Sequence, residues 1–165
     1  MTGAKGLYDV DFVAWTEQQA AALRATAHGG TNQPLDWENL AEEIESLGKS
    51  DRRELHSQIY RIIRHLAKLQ FSQATDPRGS WRESVRDGRQ QTKLVLADSP
   101  SLKSQLGQIV SEESTGAIKR TVADLGEFGE VDAATQLALP QTRYSVDEVL
   151  GDWFPSEPSG PARAE

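Results

Sequence analysis

Apolar residues recur along this chain at steps of three and four, the register of helices, and no segment alternates convincingly as a strand does. A first helix is predicted from Asp9 or Asp11, either of which can cap free backbone amides, through Phe12, Trp15, Ala20 and Leu23 to Thr26. His28-Gly29-Gly30-Thr31-Asn32 reads as an exposed loop. Asp36 then caps a second helix that buries Trp37, Leu40, Ile44 and Leu47, and Gly48 ends or bends it. Ser50 caps a third helix, whose stripe Leu55, Ile59, Ile62, Leu66 and Leu69 is the cleanest helical pattern in the sequence.

Thr75 to Gly79 forms a turn, and Ser80 caps a fourth helix from Trp81 to about Ala97. Ser99-Pro100 pairs an N-cap with proline at the first helical position, opening a helix that carries Leu102, Leu106, Ile109, Val110, Ile118, Val122 and Leu125. A short helix covers Asp132 to Leu139, and a last one starts at Ser145 and stops before Trp153-Phe154-Pro155. The expectation is all-α: a single-domain helical bundle over residues 7–155, of four or five main helices plus a short C-terminal one. The Pro- and Ser-rich residues 156–165 read as a disordered tail.

Composition narrows the function classes. The 165 residues contain no cysteine, which excludes disulfides, thiolate catalysis and sulfur-ligated metal. There is no run of the eighteen or so apolar residues that spans a bilayer, and no apolar leader, so a cytoplasmic protein without membrane contact is expected. The net charge of −7 disfavours nucleic acid as a partner, yet it is unevenly spread. Between Lys49 and Lys93, eleven Lys or Arg face five Asp or Glu, +6, which leaves −13 for the remainder.

Those cations form two stripes. Arg53, Arg61, Arg64 and Lys68 fall within about an 80° arc opposite the apolar face of the third helix. On the fourth helix Arg82, Arg86, Arg89 and Lys93 follow Arg78 at helical steps. Guanidinium groups so placed can bracket phosphate or carboxylate, form a solvated face, or pair with the acidic stripe Glu38, Glu42 and Glu45. His56 and His65 lie nine residues apart, on roughly opposite sides of one helix, and no Glu-x-x-His pair accompanies Glu42, Glu43, Glu45, Glu112 or Glu113. No metal site and no cofactor are therefore predicted, and no phosphate-cradling loop or nucleophile elbow occurs. The four tryptophans, Trp15, Trp37, Trp81 and Trp153, read as anchors near helix ends; an exposed Trp153-Phe154 would mark a partner surface.

Several segments together resemble the bacterial family known as domain of unknown function family twenty-nine. They are Tyr8-Asp9-x-Asp11-Phe12-x-x-Trp15, Leu35 to Gly48 with Asp36-Trp37-Glu38-Asn39-Leu40, His65-Leu66-x-Lys68-Leu69-Gln70, Ser80-Trp81-Arg82, Ser99-Pro100-Ser101-Leu102 and Trp153-Phe154-Pro155. Leu69 departs from the pattern, because tryptophan is frequent there. The resemblance implies an all-helical single domain and brings no activity or site residue with it.

The leading functional expectation is a noncatalytic helical interaction module that meets a protein partner or a second copy through the acidic second helix and the basic third and fourth. The alternative is a small-ligand binder or enzyme in which Glu42, Glu43 and Glu45 converge with His65, Arg86 and Arg89 in an interhelical cleft. A third reading, weak nucleic-acid binding by the two basic stripes, predicts that replacing Arg86 and Arg89 by Ala abolishes binding without unfolding the chain.

Overall fold

A computed structural model describes residues 6–30, 33–129 and 131–158, and every regular element among them is helical. Four helices are long: α2 (Phe12–His28), α3 (Trp37–Phe71), α4 (Arg78–Asp98) and α5 (Leu106–Glu127). Three are short: α1 (Leu7–Val10), α6 (Ala133–Ala138) and α7 (Val146–Leu150). The rest of the predicted tail, 159–165, and Thr31-Asn32 of the predicted loop lie outside the described residues. The chain divides into two compact units, the first comprising residues up to Leu55 together with Lys93–Gln105, the second His56–Thr92 together with the residues from Leu106 onward.

In the first unit, Asp11 caps α2 as expected, its carboxylate accepting from the Ala14 amide at 2.9 Å. Gly48 differs from expectation. It does not end a helix, and the second and third predicted helices are one element of 35 residues, α3. Glycine inside a helix costs about 1 kcal/mol relative to alanine. Here it is buried because the Thr16 hydroxyl of α2 occupies the space a Cβ would need. Close approach of the Thr16 side chain, not termination, is what the glycine serves.

That contact also fixes which face of α3 is covered. The small residues Ala41 and Gly48 turn inward with Leu55, while Leu40 and Leu47, expected in the core, are exposed. The buried face is thus offset by one residue, about 100°, from the predicted stripe. Val13, Ala20, Leu96 and Leu102 complete the apolar interior of this unit, and Tyr8, Phe12 and Trp15 pack together, Tyr8 edge-on to both others. Pro100 opens a 3₁₀ turn, Pro100–Gln105, in place of the predicted α-helical start, with the Leu102 amide donating to the Ser99 carbonyl.

The second unit contains α3 from His56 onward, most of α4, and α5 to α7. The stripe Ile59, Ile62, Leu66 and Leu69 is fully buried, joined by Ile63 and Ala67 on the same helix and by Val85, Ile109, Ala117, Ile118, Leu125, Leu139 and Val149. Gly88 lets α4 lie close to α3, since a Cβ there would stand 2.8 Å from an Ile62 side-chain carbon. The last short helix begins as predicted: the Ser145 hydroxyl accepts from the Glu148 amide, and the Glu148 carboxylate accepts from the Ser145 amide, a complete capping box. α4 starts at Arg78, ahead of the expected cap, because Pro77 provides the first helical carbonyl and Ser80 donates back to that oxygen.

Candidate functional site

The acids of the expected cleft lie in the first unit. Arg24 of α2 donates to the Glu45 carboxylate at 2.9 Å, Lys49 approaches it at 3.5 Å, and Glu38 stands 4.0 Å from Arg24. The hydrogen bond from Arg24 and the charge of Lys49 hold the Glu45 carboxyl below its ordinary pKa. Glu42 and Glu43 are exposed. The acidic stripe therefore pairs with α2 and with its own next turn.

His65 belongs to the second unit and turns its ring to its own helix, Nδ1 donating to the Arg61 carbonyl at 2.8 Å. Because a carbonyl only accepts, that nitrogen carries the proton and Nε2 keeps the lone pair. Burial, with the charges of Lys68, Arg64 and Arg61, lowers its pKa against the raising effect of the hydrogen bond. His65 sits among cations that each disfavour its protonated form. The other histidine of α3, His56, does meet an acid: its Nδ1 lies 2.7 Å from Glu113 on α5.

Asp124 on α5 was not singled out in the sequence, yet it organises the first basic stripe. Arg64 reaches its Oδ2 through Nε at 3.1 Å and Nη2 at 2.7 Å, Lys68 reaches the same oxygen at 3.0 Å, and Arg120 meets Oδ1 at 3.0 Å. Burial pushes the Asp124 carboxyl up, but hydrogen bonds from Lys68 and Arg64 outweigh it and the pKa falls. A lone aspartate between Ala123 and Leu125 of α5 gives no such signal in the sequence, because only the helix pairing reveals that three cations share it.

The second stripe is built around Phe154. The guanidinium carbons of Arg89, Arg82 and Arg86 stand 4.8, 5.3 and 5.6 Å from its ring centroid, within cation–π range. Arg89 is buried and fully committed: Nε donates to the Val149 carbonyl at 2.9 Å, and Nη2 to those of Glu148 and Trp153 at 2.8 and 2.7 Å. It thereby satisfies carbonyls that the end of α7 leaves without helical partners. Burial pulls its pKa down, Asp152 opposes that and Arg86 adds to it, but an arginine stays protonated regardless. Arg89 thus holds the end of α7 to α4, and its replacement by Ala is expected to loosen that segment. The Trp153 side chain, 38% exposed, leans on Tyr144 with centroids 6.0 Å apart. Trp153-Phe154 thus closes the C-terminal segment onto α4.

The structure therefore brings Arg86 and Arg89 together on Phe154, sends Glu45 to Arg24, and turns His65 to its own helix; each finds its partners within its own unit. Among the described residues no group of three or more His, Asp or Glu side chains is arranged to hold a metal ion. No helix is long and apolar enough to cross a membrane, again among the described residues. A groove of about 310 Å³ on the second unit is lined by Thr115, Ile118, Lys119, Val122, Pro140 and Arg143.

A polar network joins distant motifs in the first unit. The Asp11 carboxylate, while capping α2, also accepts from the backbone amide and the hydroxyl of Ser101. The Ser99 hydroxyl accepts from the Val13 amide and donates to Asp51, both at 3.2 Å. The sequence signature described as Domain of unknown function DUF29 covers residues 7–154, which takes in both motifs and the arginine cluster. The chain belongs to this family. It is also similar to the crystal structure of an α-helical protein of unknown function from Rhodospirillum rubrum ATCC 11170, at 27% sequence identity and a TM-score of 0.66. That match covers 90% of this chain and 92% of the other. No curated protein matches the chain. In this family member, the Asp11 and Ser-Pro-Ser motifs meet in one hydrogen-bond network, and the carbonyl of Trp153 together with the ring of Phe154 receives α4 arginines.

Proposed function

We propose that the chain is a noncatalytic helical interaction module of the bacterial cytoplasm that presents the uncovered face of α3 to a partner helix. The observation that carries this reading is the pair Leu40 and Leu47, 41% and 51% exposed and seven residues apart. Seven residues return to within about 20° on a helix, and helices pair along apolar positions so spaced. Glu43, exposed, lies between them, with exposed Glu42 beside it. The remaining exposure of the two leucines amounts to about one side chain, so burying it contributes about 2 kcal/mol. The rest of the affinity must come from flanking contacts, and the glutamates call for a helix whose apolar stripe is edged by Lys or Arg.

The Glu/His/Arg cleft has weaker support, since Glu45 pairs with Arg24, His65 turns Nδ1 to the Arg61 carbonyl, and Arg89 donates to the end of α7. Nucleic-acid binding has the least, with Arg64 and Lys68 held by Asp124. The test is titration with a designed helix of lysine-flanked leucines, together with sedimentation over a wide concentration range, for the wild type and Leu40→Asp/Leu47→Asp. The wild type binds the helix or self-associates and the double variant does neither. A wild type that stays monomeric and binds the helix no better than the variant overturns the reading.

A further inference from the structure

Arg78, Arg82 and Arg86 occupy successive turns on one side of α4, and their guanidinium groups are spent less fully than that of Arg89. Arg78 donates through its two terminal nitrogens to the carbonyls of Ser72 and Leu69, at 3.2 and 2.7 Å, but its buried Nε makes no hydrogen bond. Arg82 and Arg86 lie over Phe154. Facing Arg78 and Arg82 is a single carboxylate oxygen, Oε1 of Glu157, 3.7 Å from Arg78 Nε and 3.3 Å from Arg82 Nη2. Both separations exceed the 2.7 Å at which Arg64 grips Asp124, and the Glu157 side chain is 69% exposed. With Arg89, four guanidinium groups gather here, and among the described residues the acids set against them are Glu157, which faces Arg78 and Arg82, and Asp152, which acts on Arg89.

We propose that this arginine shelf is a binding site for a phosphate monoester group, and that Glu157 is a carboxylate of the same chain held loosely in its place. A phosphate monoester carries close to two negative charges at neutral pH and three acceptor oxygens. It therefore brings more negative charge than the Glu157 carboxylate and gives Arg78 Nε, Arg82 and Arg86 an oxygen each, where Glu157 offers one oxygen between two of them. Forked guanidinium donors are suited to this geometry, and Phe154 holds two of the forks in place from behind. The site is independent of the α3 leucines, so either proposal can fail without the other.

The experiment is titration of the full chain with inorganic phosphate and, separately, with O-phosphoserine, followed by amide and Arg Nε chemical shifts. Saturable shifts centred on Arg78, Arg82 and Arg86 are expected with both probes. Tighter binding of O-phosphoserine would point to a phosphorylated side chain as the natural source, and equal binding to free phosphate. Glu157→Gln should tighten binding about two- to five-fold, the worth of an exposed ion pair with a competing charge. Arg82→Ala/Arg86→Ala should weaken it at least about ten-fold, as loss of charged hydrogen bonds does, with an unchanged circular dichroism spectrum. Arg82→Lys/Arg86→Lys keeps the charge and loses the forks, and should weaken binding nearly as much. Absence of saturation, equal affinity in Glu157→Gln, or full affinity in the lysine pair overturns the proposal.

Discussion

Gly48 of α3 lies so close to the Thr16 hydroxyl of α2 that a methyl group at position 48 would overlap that oxygen. The oxygen has little freedom to yield, because Thr16 is fully buried and its hydroxyl donates to the Val13 carbonyl at 2.7 Å. Gly48→Ala is therefore expected to destabilise the chain by about 1–3 kcal/mol, as overpacking does, against a gain of about 1 kcal/mol in helix propensity. Urea unfolding measures it. Adding Thr16→Ala removes the obstructing oxygen, so the double variant should be more stable than Gly48→Ala alone, and a simple sum of the two losses would contradict the packing account.

Asp124 concentrates the charge of Arg64, Lys68 and Arg120. Asp124→Asn should cost about 1–3 kcal/mol at neutral pH, the range for hydrogen bonds to charged groups. The folded-state pKa is depressed, so this stabilisation is present above the ordinary carboxylate value and is lost as pH falls through the folded one. Chemical denaturation from pH 7 down to pH 3 should show the wild type losing its advantage over Asp124→Asn at the acid end. A gap that stays constant with pH assigns the stability to shape instead.

Arg89→Lys should release the C-terminal segment even though the charge is kept. One compact ammonium cannot reach the carbonyls of Glu148, Val149 and Trp153, which the guanidinium spans from two nitrogens. Amide hydrogen exchange is expected to speed up at Val149 and Gly151, whose amides close the turn of α7, while Ile62 and Leu66 of the core keep their protection. Unchanged exchange at α7 would mean that Val149 and the capping box suffice to dock it.

His65 should titrate below 6.5 in the folded protein, because burial and three neighbouring cations oppose its protonation. The unfolded chain then takes up the proton first, so the neutral ring contributes stability that is present above 6.5 and declines as pH falls through the folded value. Imidazole shifts measured by NMR against pH report this directly. A midpoint above 6.5 would require a carboxylate facing the ring.

Much of this architecture is legible in the sequence because it rests on local signals. The Asp11 cap, the start of the last helix at Ser145, and the leucine and isoleucine stripe from Leu55 to Leu69 all follow from spacing alone, and all are present. Misreadings occur where a partner helix decides. Gly48 looks like a stop until Thr16 is placed opposite it, and Leu40 and Leu47 look buried until Ala41 and Gly48 take the inner face. Ser99 looks like a helix cap, yet its hydroxyl is shared between Val13 and Asp51. The same holds for the charges. Runs of Arg on α3 and α4 are visible from composition, but Asp124 and Phe154, the groups they gather around, are one acid and one aromatic among many. Glu45, His65 and Arg89 each take partners within their own unit, and helical register could not foretell those partners, because it fixes direction around an axis and says nothing of what stands opposite.

The bonds from Ser101 to the Asp11 carboxylate span 90 positions of chain. On a ribosome adding about 5–20 residues per second, the interval between those two residues is roughly 5 to 18 s. During that time α1 and α2 are made but lack the segment Lys93–Gln105 that completes their unit. α1 and α2 thus belong to a unit whose last piece is made well after the whole of α3, and their apolar surface must be kept from other contacts until Ser101 arrives.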